Sequence, residues 1–409
     1  MAKREERMNN KIYLRLFFAM VILFWAGILL VAQESQEDPL AAAFMENFSR
    51  ANDETKLDIL RDSVNYGADQ MGPLYQQALE YVVNNSDGLV QNVQLQQIAL
   101  VSAQLAGLSG YQPATMSLWE LFDAYSEAGV RIAVLDALKR ENLGNEQVFL
   151  LLNRWIERQI SIFRAGGGIN AQVVSQAVLT LSGYRDPRSF PQLLSLTVLG
   201  ISQEISSRAQ AGLDSIDGDY ARMAEEVIQS YPAAEKLVAL RTAVNREDLS
   251  NEQRASVCIT ALEVGNNLAV SDPANASTIR ELRTLSVRNL GDLRWAEATS
   301  HIIQHFDLCI QELDRGIGSK SALLEAVAAL GSMGAREAAV RLALYLDVIN
   351  SFVENNQGYD EQITLAVVRN LGELKSKAGL NALLYLGYLD YSKNIRDAGE
   401  KARRAILDQ

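Results

Sequence analysis

The two histidines of the chain, His301 and His305, lie four residues apart. In a helix this spacing places both rings on one face, where two imidazole nitrogens could bind zinc. Ile302 stands where the H-E-x-x-H metalloprotease motif has its glutamate, and Asp307 falls on another part of the helix. A closed site needs one or two further ligands. A helical metal-dependent enzyme using these histidines is therefore an alternative, and the sequence identifies no catalytic residue and no cofactor.

Three tyrosines near the C-terminus, Tyr385, Tyr388 and Tyr391, are spaced by three residues, so the first two share a helix face. A tyrosine-rich patch suits protein recognition, because each ring buries a large area at a low cost in side-chain entropy. The alternative is that Tyr385 packs its ring between helices and leaves only its hydroxyl at the surface.

The densest run of basic residues outside the N-terminus contains four arginines: Arg280, Arg283, Arg288 and Arg294. Together with Trp295 they could bind an acidic or phosphate-bearing ligand. A solvated helix face, paired to acids such as Glu281 and Asp292, is the commoner meaning of such a run. The sequence favours the second interpretation.

Cys258 and Cys309 both lie in apolar helical surroundings, 51 residues apart. A disulfide between them would have to cross more than one helix pair. We therefore expect two buried free thiols.

The composition excludes several classes of protein. The chain has 409 residues, 48% of them hydrophobic, and a net charge of −12. This apolar fraction excludes wholesale disorder, and two cysteines exclude a disulfide scaffold. The negative charge argues against a nucleic-acid partner.

The N-terminus resembles an export signal. Residues 1–15 carry +3, and an uncharged apolar run follows from Leu16 to Ala32 before the chain turns polar at Gln33. This pattern predicts a signal peptide cleaved after Ala32, or an uncleaved anchor in the inner membrane through residues 16–32. Either way residues 33–409 are expected in the periplasm. Removing +3 from −12 leaves −15 on this exported part.

Helical periodicity recurs along the whole chain after Gln33. Apolar residues fall at three- and four-residue intervals, as from Leu323 to Leu330, and no segment alternates convincingly as a strand. Glycine-containing breaks separate these stretches, and we expect helices to end there in a left-handed residue. The sequence thus predicts an all-α fold.

The helical stretches repeat. The pairs Leu290-Gly291, Leu330-Gly331 and Leu371-Gly372 are spaced by 40 and 41 residues, and each is followed by a second apolar helix. These second helices are expected at 296–308, 335–348 and 378–389. Two helices per roughly 40 residues is the period of an α-solenoid.

Residues 326–338 and 366–383 resemble HEAT or HEAT-like repeats. That family's pattern puts Ala-x-x-Leu-Gly at the end of the first helix and Ala-x-x-x-Leu in the second, and both segments contain its Leu-Gly pair, as Leu330-Gly331 and Leu371-Gly372. The resemblance implies stacked antiparallel helix pairs in a HEAT/armadillo-like superhelix that serves as a protein-binding scaffold. It brings no catalytic residue with it.

The repeat register predicts a binding surface. It places second-helix residues in two columns: His301, Arg341 and Asn381 in one, and His305, Tyr345 and Tyr385 in the other. The resemblance implies that second helices line the concave side. Both columns, together with Tyr388, are therefore expected to contact a protein partner.

Three polar, mostly glycine-containing segments, 165–169, 212–219 and 265–277, are expected to be joints. They divide the chain into an N-terminal segment (1–32) and three sets of helical repeats (33–165, 169–270 and 277–409). Ser277 or Thr278 is expected to cap the helix after the last joint. The final helix, 395–407, carries charges that suit a terminal capping repeat.

The sequence as a whole favours a non-enzymatic adaptor in a bacterial envelope-associated assembly, with another protein as its partner. The alternatives are the metal-dependent enzyme and a membrane-tethered structural spacer. No oligomeric state follows from the sequence.

Overall fold

The computed structural model describes residues 39–88, 91–139 and 145–408. Within these ranges every regular element is helical, with twenty α-helices, six short 3-10 helices and no strand. The expectation of an all-α chain is confirmed. No described helix is long and apolar enough to cross a membrane. Residues 1–32 lie outside the described residues, so their assignment as a signal or anchor stays a prediction.

The chain divides into two compact units, and residues up to 151 form the first. Its helices are α1 (Pro39–Arg50), α2 (Asp53–Ser63), α3 (Gly72–Asn84), α4 (Val93–Ser109), α5 (Ala114–Ala124) and α6 (Ala128–Leu138), and α7 (Glu146–Arg164) continues into the second unit. Helix α3 packs on α1 and α5, while α4 packs on α2 and α6. Alternate helices therefore form two layers.

Residues 152–409 form the second unit. It contains α8 (Ala171–Gly183), α9 (Phe190–Val198), α10 (Gln203–Ser215), α11 (Tyr220–Ser230), α12 (Ala233–Asn245), α13 (Asn251–Ser271), α14 (Ala276–Leu293), α15 (Thr299–Asp314), α16 (Lys320–Ser332), α17 (Arg336–Glu354), α18 (Glu361–Leu374), α19 (Leu380–Leu386) and α20 (Lys393–Leu407).

The second unit also stacks its helices in two layers. In one layer α12, α14, α16, α18 and α20 pack successively, and in the other α11, α13, α15, α17 and α19 do so. Each helix buries one face on the other layer, because its apolar residues recur at helical spacing. This is the packing of a helical repeat protein. Helix α12 also packs on α9, three helices earlier. The alternation of helices between the two layers is therefore shifted by one helix near α10 and α11.

The predicted helix pairs correspond to α14–α15, α16–α17 and α18–α19. Helices α15 and α19 each follow a short 3-10 turn, at Ala296–Ala298 and Lys377–Gly379. Helices α15 and α17 extend six residues beyond the predicted ends, while α19 ends three residues earlier. The final helix α20 covers the range expected of the last helix.

The helices do end at the predicted Leu-Gly segments, at Leu293, Ser332 and Leu374, but the glycines themselves are not the left-handed residues. Gly291, Gly331 and Gly372 all lie inside helices, and none has a positive φ. The left-handed residues come later, at Arg294 (φ 52°) and Lys375 (φ 51°). These two positions close α14 and α18.

The repeated glycines instead allow successive first helices to approach closely. A Cβ added to Gly291 would lie 3.2 Å from the Cα of Ala329, and one added to Gly372 would lie 3.1 Å from the Cα of Ala402. Each neighbour belongs to the next helix of the same layer. The glycine recurs because the backbones meet at this point, where a side chain would separate them.

The prediction of a polar loop over residues 265–277 is wrong. Helix α13 continues through Gly265 to Ser271, and only residues 272–275 connect it to α14. Gly265 is needed for packing, since a Cβ there would lie 2.6 Å from Cγ of Arg283. The N-cap of α14 is Asn275 rather than Ser277 or Thr278. At 212–219 the connection is limited to 216–219, because α10 includes Gly212.

Candidate functional site

The two histidines have different surroundings although they share helix α15. His301 is half-buried, whereas the side chain of His305 is only 1% exposed. The Nε2 atom of His305 lies 3.3 Å from Sγ of Cys309, one helical turn further along. The expectation that His305 lines a surface is therefore wrong, because the packing of α15 in the unit buries its ring.

His305 belongs to a buried polar cluster. Arg283 on α14 is fully buried, and its Nη2 forms an ion pair with Glu312 of α15. The Nε and Nη1 atoms of Arg283 and the Nδ1 atom of His305 have no hydrogen-bond partner among the described residues. Asn266 of α13 donates a hydrogen bond to the carbonyl of His301 (3.1 Å). The cluster thus connects three consecutive helices.

The surroundings in this cluster keep His305 and Cys309 neutral. Burial, and then the charge of Arg283, lower the pKa of His305 to about 3. Burial raises the pKa of Cys309 to about 12. At neutral pH the pair is therefore an imidazole and a thiol, which makes Cys309 a poor nucleophile.

The described part of the chain offers no third ligand for a metal site at His301 and His305. These residues contain no group of three or more His, Cys, Asp or Glu side chains that could hold a metal ion. The two cysteines, Cys258 and Cys309, are buried and free, as expected from their apolar surroundings.

Two members of the predicted columns connect neighbouring helices. Arg341 of α17 forms an ion pair with Asp307 of α15 (2.6 Å), and its guanidinium lies 4.9 Å from the centre of the Phe306 ring. The ring of Tyr345 packs edge-on against Phe306, with 5.2 Å between centroids. Asn381 on α19 is exposed. Both Arg341 and Tyr345 are half-buried.

The arginine-rich stretch is mostly structural. Arg283 is buried, and Arg288 forms an ion pair with Glu325 of α16. Glu281 pairs with Arg241 of α12, a partner from the preceding helix of the layer. The stretch therefore supplies ion pairs between successive helices, in keeping with the interpretation that the sequence favours.

An exposed apolar surface lies on helices α17 and α19. Its residues on α17 recur every fourth position, and three more follow on and after α19: Val340, Leu344, Val348, Phe352, Leu384, Tyr385 and Tyr388. We call this set the α17–α19 surface. The side chain of Leu344 is 56% exposed and that of Tyr388 is 78% exposed. Two of the predicted binding residues, Tyr385 and Tyr388, belong to it.

The aliphatic members of the α17–α19 surface were not predicted from the sequence. Helix α17 also buries a stripe that includes Leu342, Leu346 and Ile349. The helix is thus apolar over most of its circumference, and an apolar residue at every fourth position outside the buried stripe is the signal that could have identified the surface.

An open cavity of about 350 Å³ lies within this region, lined by Asp347, Asn381, Leu384, Tyr385 and Tyr388. The hydroxyl of Tyr385 donates a 2.6 Å hydrogen bond to Oε1 of Glu354. Desolvation by the surrounding side chains raises the pKa of Asp347. Tyr391, the third tyrosine of the predicted patch, is buried, and its hydroxyl donates to Oδ1 of Asn350 (2.8 Å).

No protein-family model matches the chain, and no curated protein matches it either. Among solved structures, one similar chain is described as a circular tandem repeat protein with novel repeat topology and enhanced subunit contact surfaces. The two are 15% identical, the match covers 90% of this chain and 76% of that chain, and the TM-score is 0.18. At so low a TM-score, the helical-repeat character of this chain rests on its own helix packing.

Proposed function

We propose that this protein is a non-enzymatic scaffold that binds another protein through the α17–α19 surface. The observation that supports the proposal is the row of exposed apolar side chains on α17, continued by Leu384, Tyr385 and Tyr388. Contiguous exposed apolar area is uncommon on soluble proteins and often marks a site of interaction.

The composition of this surface suits a protein partner. Tyrosine is enriched at interaction sites, because its ring buries apolar area while its hydroxyl remains able to hydrogen-bond. Leu344 and Val348 supply exposed aliphatic area on α17. The exported part of the chain would carry −15, so a partner with a neutral or basic contact surface would be attracted.

We propose further that the helix pairs of residues 276–386 are HEAT-like repeats. The support is the Leu-Gly pair that recurs near the ends of α16 and α18, together with the two stacked layers. In such repeats consecutive second helices present one extended surface. Helices α17 and α19 are second helices, and they carry the exposed apolar residues.

The location proposed for the scaffold is the bacterial envelope, reached through the N-terminal segment. Its support is the basic flank of residues 1–15 and the uncharged run from Leu16 to Ala32. N-terminal sequencing of protein recovered from cells tests this. A chain that begins at Gln33 indicates a cleaved signal, and an intact N-terminus in the membrane fraction indicates an anchor. An intact chain in the cytoplasmic fraction would contradict export.

A matched pair of charge insertions tests the binding surface. Leu344 on α17 and Ile317 in the connection after α15 are both 56% exposed, so glutamate costs little folding energy at either position. We expect Leu344→Glu to release the protein from its native assembly, measured by size-exclusion migration of a gentle envelope extract. Ile317→Glu should migrate as the unmodified chain does.

The outcome that argues against the proposal is equally clear. If Leu344→Glu migrates with the assembly as completely as Ile317→Glu, the α17–α19 surface is not the binding site. Circular dichroism of both variants checks that the helical content is unchanged.

A further inference from the structure

The cavity within the α17–α19 surface contains a carboxylate that has no partner. Asp347 is exposed, and its side chain forms no ion pair and no hydrogen bond with any described residue. Arg341, six residues earlier on the same helix, is already paired to Asp307. The cavity therefore presents a negative charge that the protein itself leaves uncompensated.

The walls of the cavity are suited to a flat cation. The rings of Tyr385 and Tyr388 line it together with Leu384, and Tyr385 is held in place by its hydrogen bond to Glu354. The face of an aromatic ring carries partial negative charge and attracts a cation placed over it. The amide oxygen of Asn381 adds a neutral hydrogen-bond acceptor at the same opening.

The surrounding charge has the same sign. Glu354 lies beside Tyr385, and the exposed Asp390 follows Tyr388 by two residues. A partner that covers the apolar residues would bury Asp347, and an unpaired buried carboxylate is costly. The partner must therefore bring a positive charge to this point.

Building on the proposed function, we propose that the cavity of Asp347, Asn381, Tyr385 and Tyr388 binds the guanidinium group of an arginine on the partner protein. A guanidinium is planar, so it stacks on a tyrosine ring, and its fork of N–H donors matches a carboxylate in two parallel hydrogen bonds. An ammonium group is more strongly hydrated and lacks the flat face. The partner segment places this arginine among apolar residues that cover Leu344 and Val348.

The experiment uses the full chain labelled with 3-fluorotyrosine. The ¹⁹F resonances of two of the 14 tyrosines are assigned with Tyr385→Phe and Tyr388→Phe. The probe is N-acetyl-arginine amide, compared with N-acetyl-citrulline amide, which has the same shape without the charge, and with N-acetyl-lysine amide. We expect the arginine compound to shift both resonances in the millimolar range, as a single side chain should.

The citrulline and lysine compounds should bind about tenfold more weakly than the arginine compound. Asp347→Asn should weaken arginine binding about fivefold or more and leave citrulline binding unchanged. Unshifted resonances of the other tyrosines confirm that the variant is folded. Equal responses to arginine and citrulline, an arginine affinity unchanged in Asp347→Asn, or no response at all would each overturn the proposal. An equal response to lysine would overturn the choice of guanidinium.

The probe titration and the Leu344→Glu variant measure different properties of the surface. If the probe is not recognised while Leu344→Glu still releases the native assembly, the surface binds a partner through apolar contacts alone. If the probe binds while Leu344→Glu remains in the assembly, the cavity is a cation site that lies outside the assembly interface.

Discussion

At His305, burial and a neighbouring guanidinium act on the imidazole in the same direction. Both disfavour the charged ring, and the pKa falls to about 3. The fully buried Arg283 is paired with Glu312. One positive charge is therefore already buried next to His305 while its ring is neutral. Protonating His305 would place a second positive charge in the same apolar region, which is costly.

This arrangement predicts that the protein loses stability in mild acid. An unfolded histidine titrates near 6.5, above its folded value, so the neutral ring stabilises the fold above pH 6.5 and this contribution is lost as the pH falls towards 3. The slope from this group approaches about 1.4 kcal/mol per pH unit. Urea unfolding of the full chain at several pH values measures this slope of the free energy of unfolding.

Two variants make the acid prediction specific. His305→Phe should flatten the pH dependence between 6.5 and 4 relative to the unmodified chain, since the titrating ring is gone. His301→Gln removes the other histidine of the same helix and should retain the dependence. Parallel pH profiles for the unmodified chain and His305→Phe would show that this ring is not the source.

The burial of individual side chains could be predicted for the two cysteines but not for His305. The thiols at Cys258 and Cys309 were predicted as buried and free because their immediate neighbours are apolar on both sides. His305 was misplaced because the repeat register gives its equivalence to Tyr345 and Tyr385 but not the depth of burial. The burial of His305 depends on its packing with Arg283 of α14. Arg283 in turn packs against Gly265 of α13, 18 residues before it in the sequence.

At the scale of elements, buried asparagines connect successive second helices. Asn266 of α13 donates to the carbonyl of His301 on α15, and Asn350 of α17 donates to the carbonyl of Ala382 on α19 (3.1 Å in both cases). Asn350 also accepts from the hydroxyl of Tyr391. The donated hydrogen bonds help define how the helices align, because a shifted helix would leave the buried amide N–H groups unpaired.

The close approach of first helices predicts the effect of a single methyl group. Gly372→Ala places its Cβ 3.0 Å from Cβ of Ala402, so α18 and α20 must separate. The overpacking costs about 1–3 kcal/mol, and alanine regains roughly 1 kcal/mol in helix propensity, so we expect a net loss of up to about 2 kcal/mol in the free energy of unfolding. Chemical denaturation measures the difference.

Gly358 provides the control for this substitution. It lies in the connection before α18, and a Cβ there meets nothing within 4 Å. Gly358→Ala should therefore change the free energy of unfolding by less than about 0.5 kcal/mol. If Gly372→Ala were as neutral as Gly358→Ala, the explanation of the repeated glycines by helix contact would be wrong.

The helix pairs could be predicted because hydrophobic spacing is a local property of each segment. The role of the Leu-Gly glycines could not be predicted, since a glycine at a left-handed C-cap and a glycine at a helix contact look alike in one sequence. Gly110 does occupy the left-handed position, with φ 63°, whereas Gly291 and Gly372 do not. Only the packing of the neighbouring helix distinguishes the two cases.

At the scale of the whole molecule, the exposed apolar residues are the feature that neither composition nor period predicted in full. The predicted columns lie on the second helices, and Tyr385 and Tyr388 are exposed, whereas His305 is buried. The exposure of Leu344 and Val348 was not predicted, because an apolar residue on an amphipathic helix is ordinarily expected to be buried. Whether a second stripe is covered depends on helices distant in sequence.

The proposed scaffold function requires that a protein partner covers the α17–α19 surface. Site-specific photo-crosslinking in living cells tests it most directly, with the photoreactive residue at Leu344 or Leu384 and, as control, at the exposed Ala328 of α16. We expect one adduct of the same mass from both surface positions and none from Ala328. No adduct from either surface position, or the same adduct from Ala328, would contradict the claim.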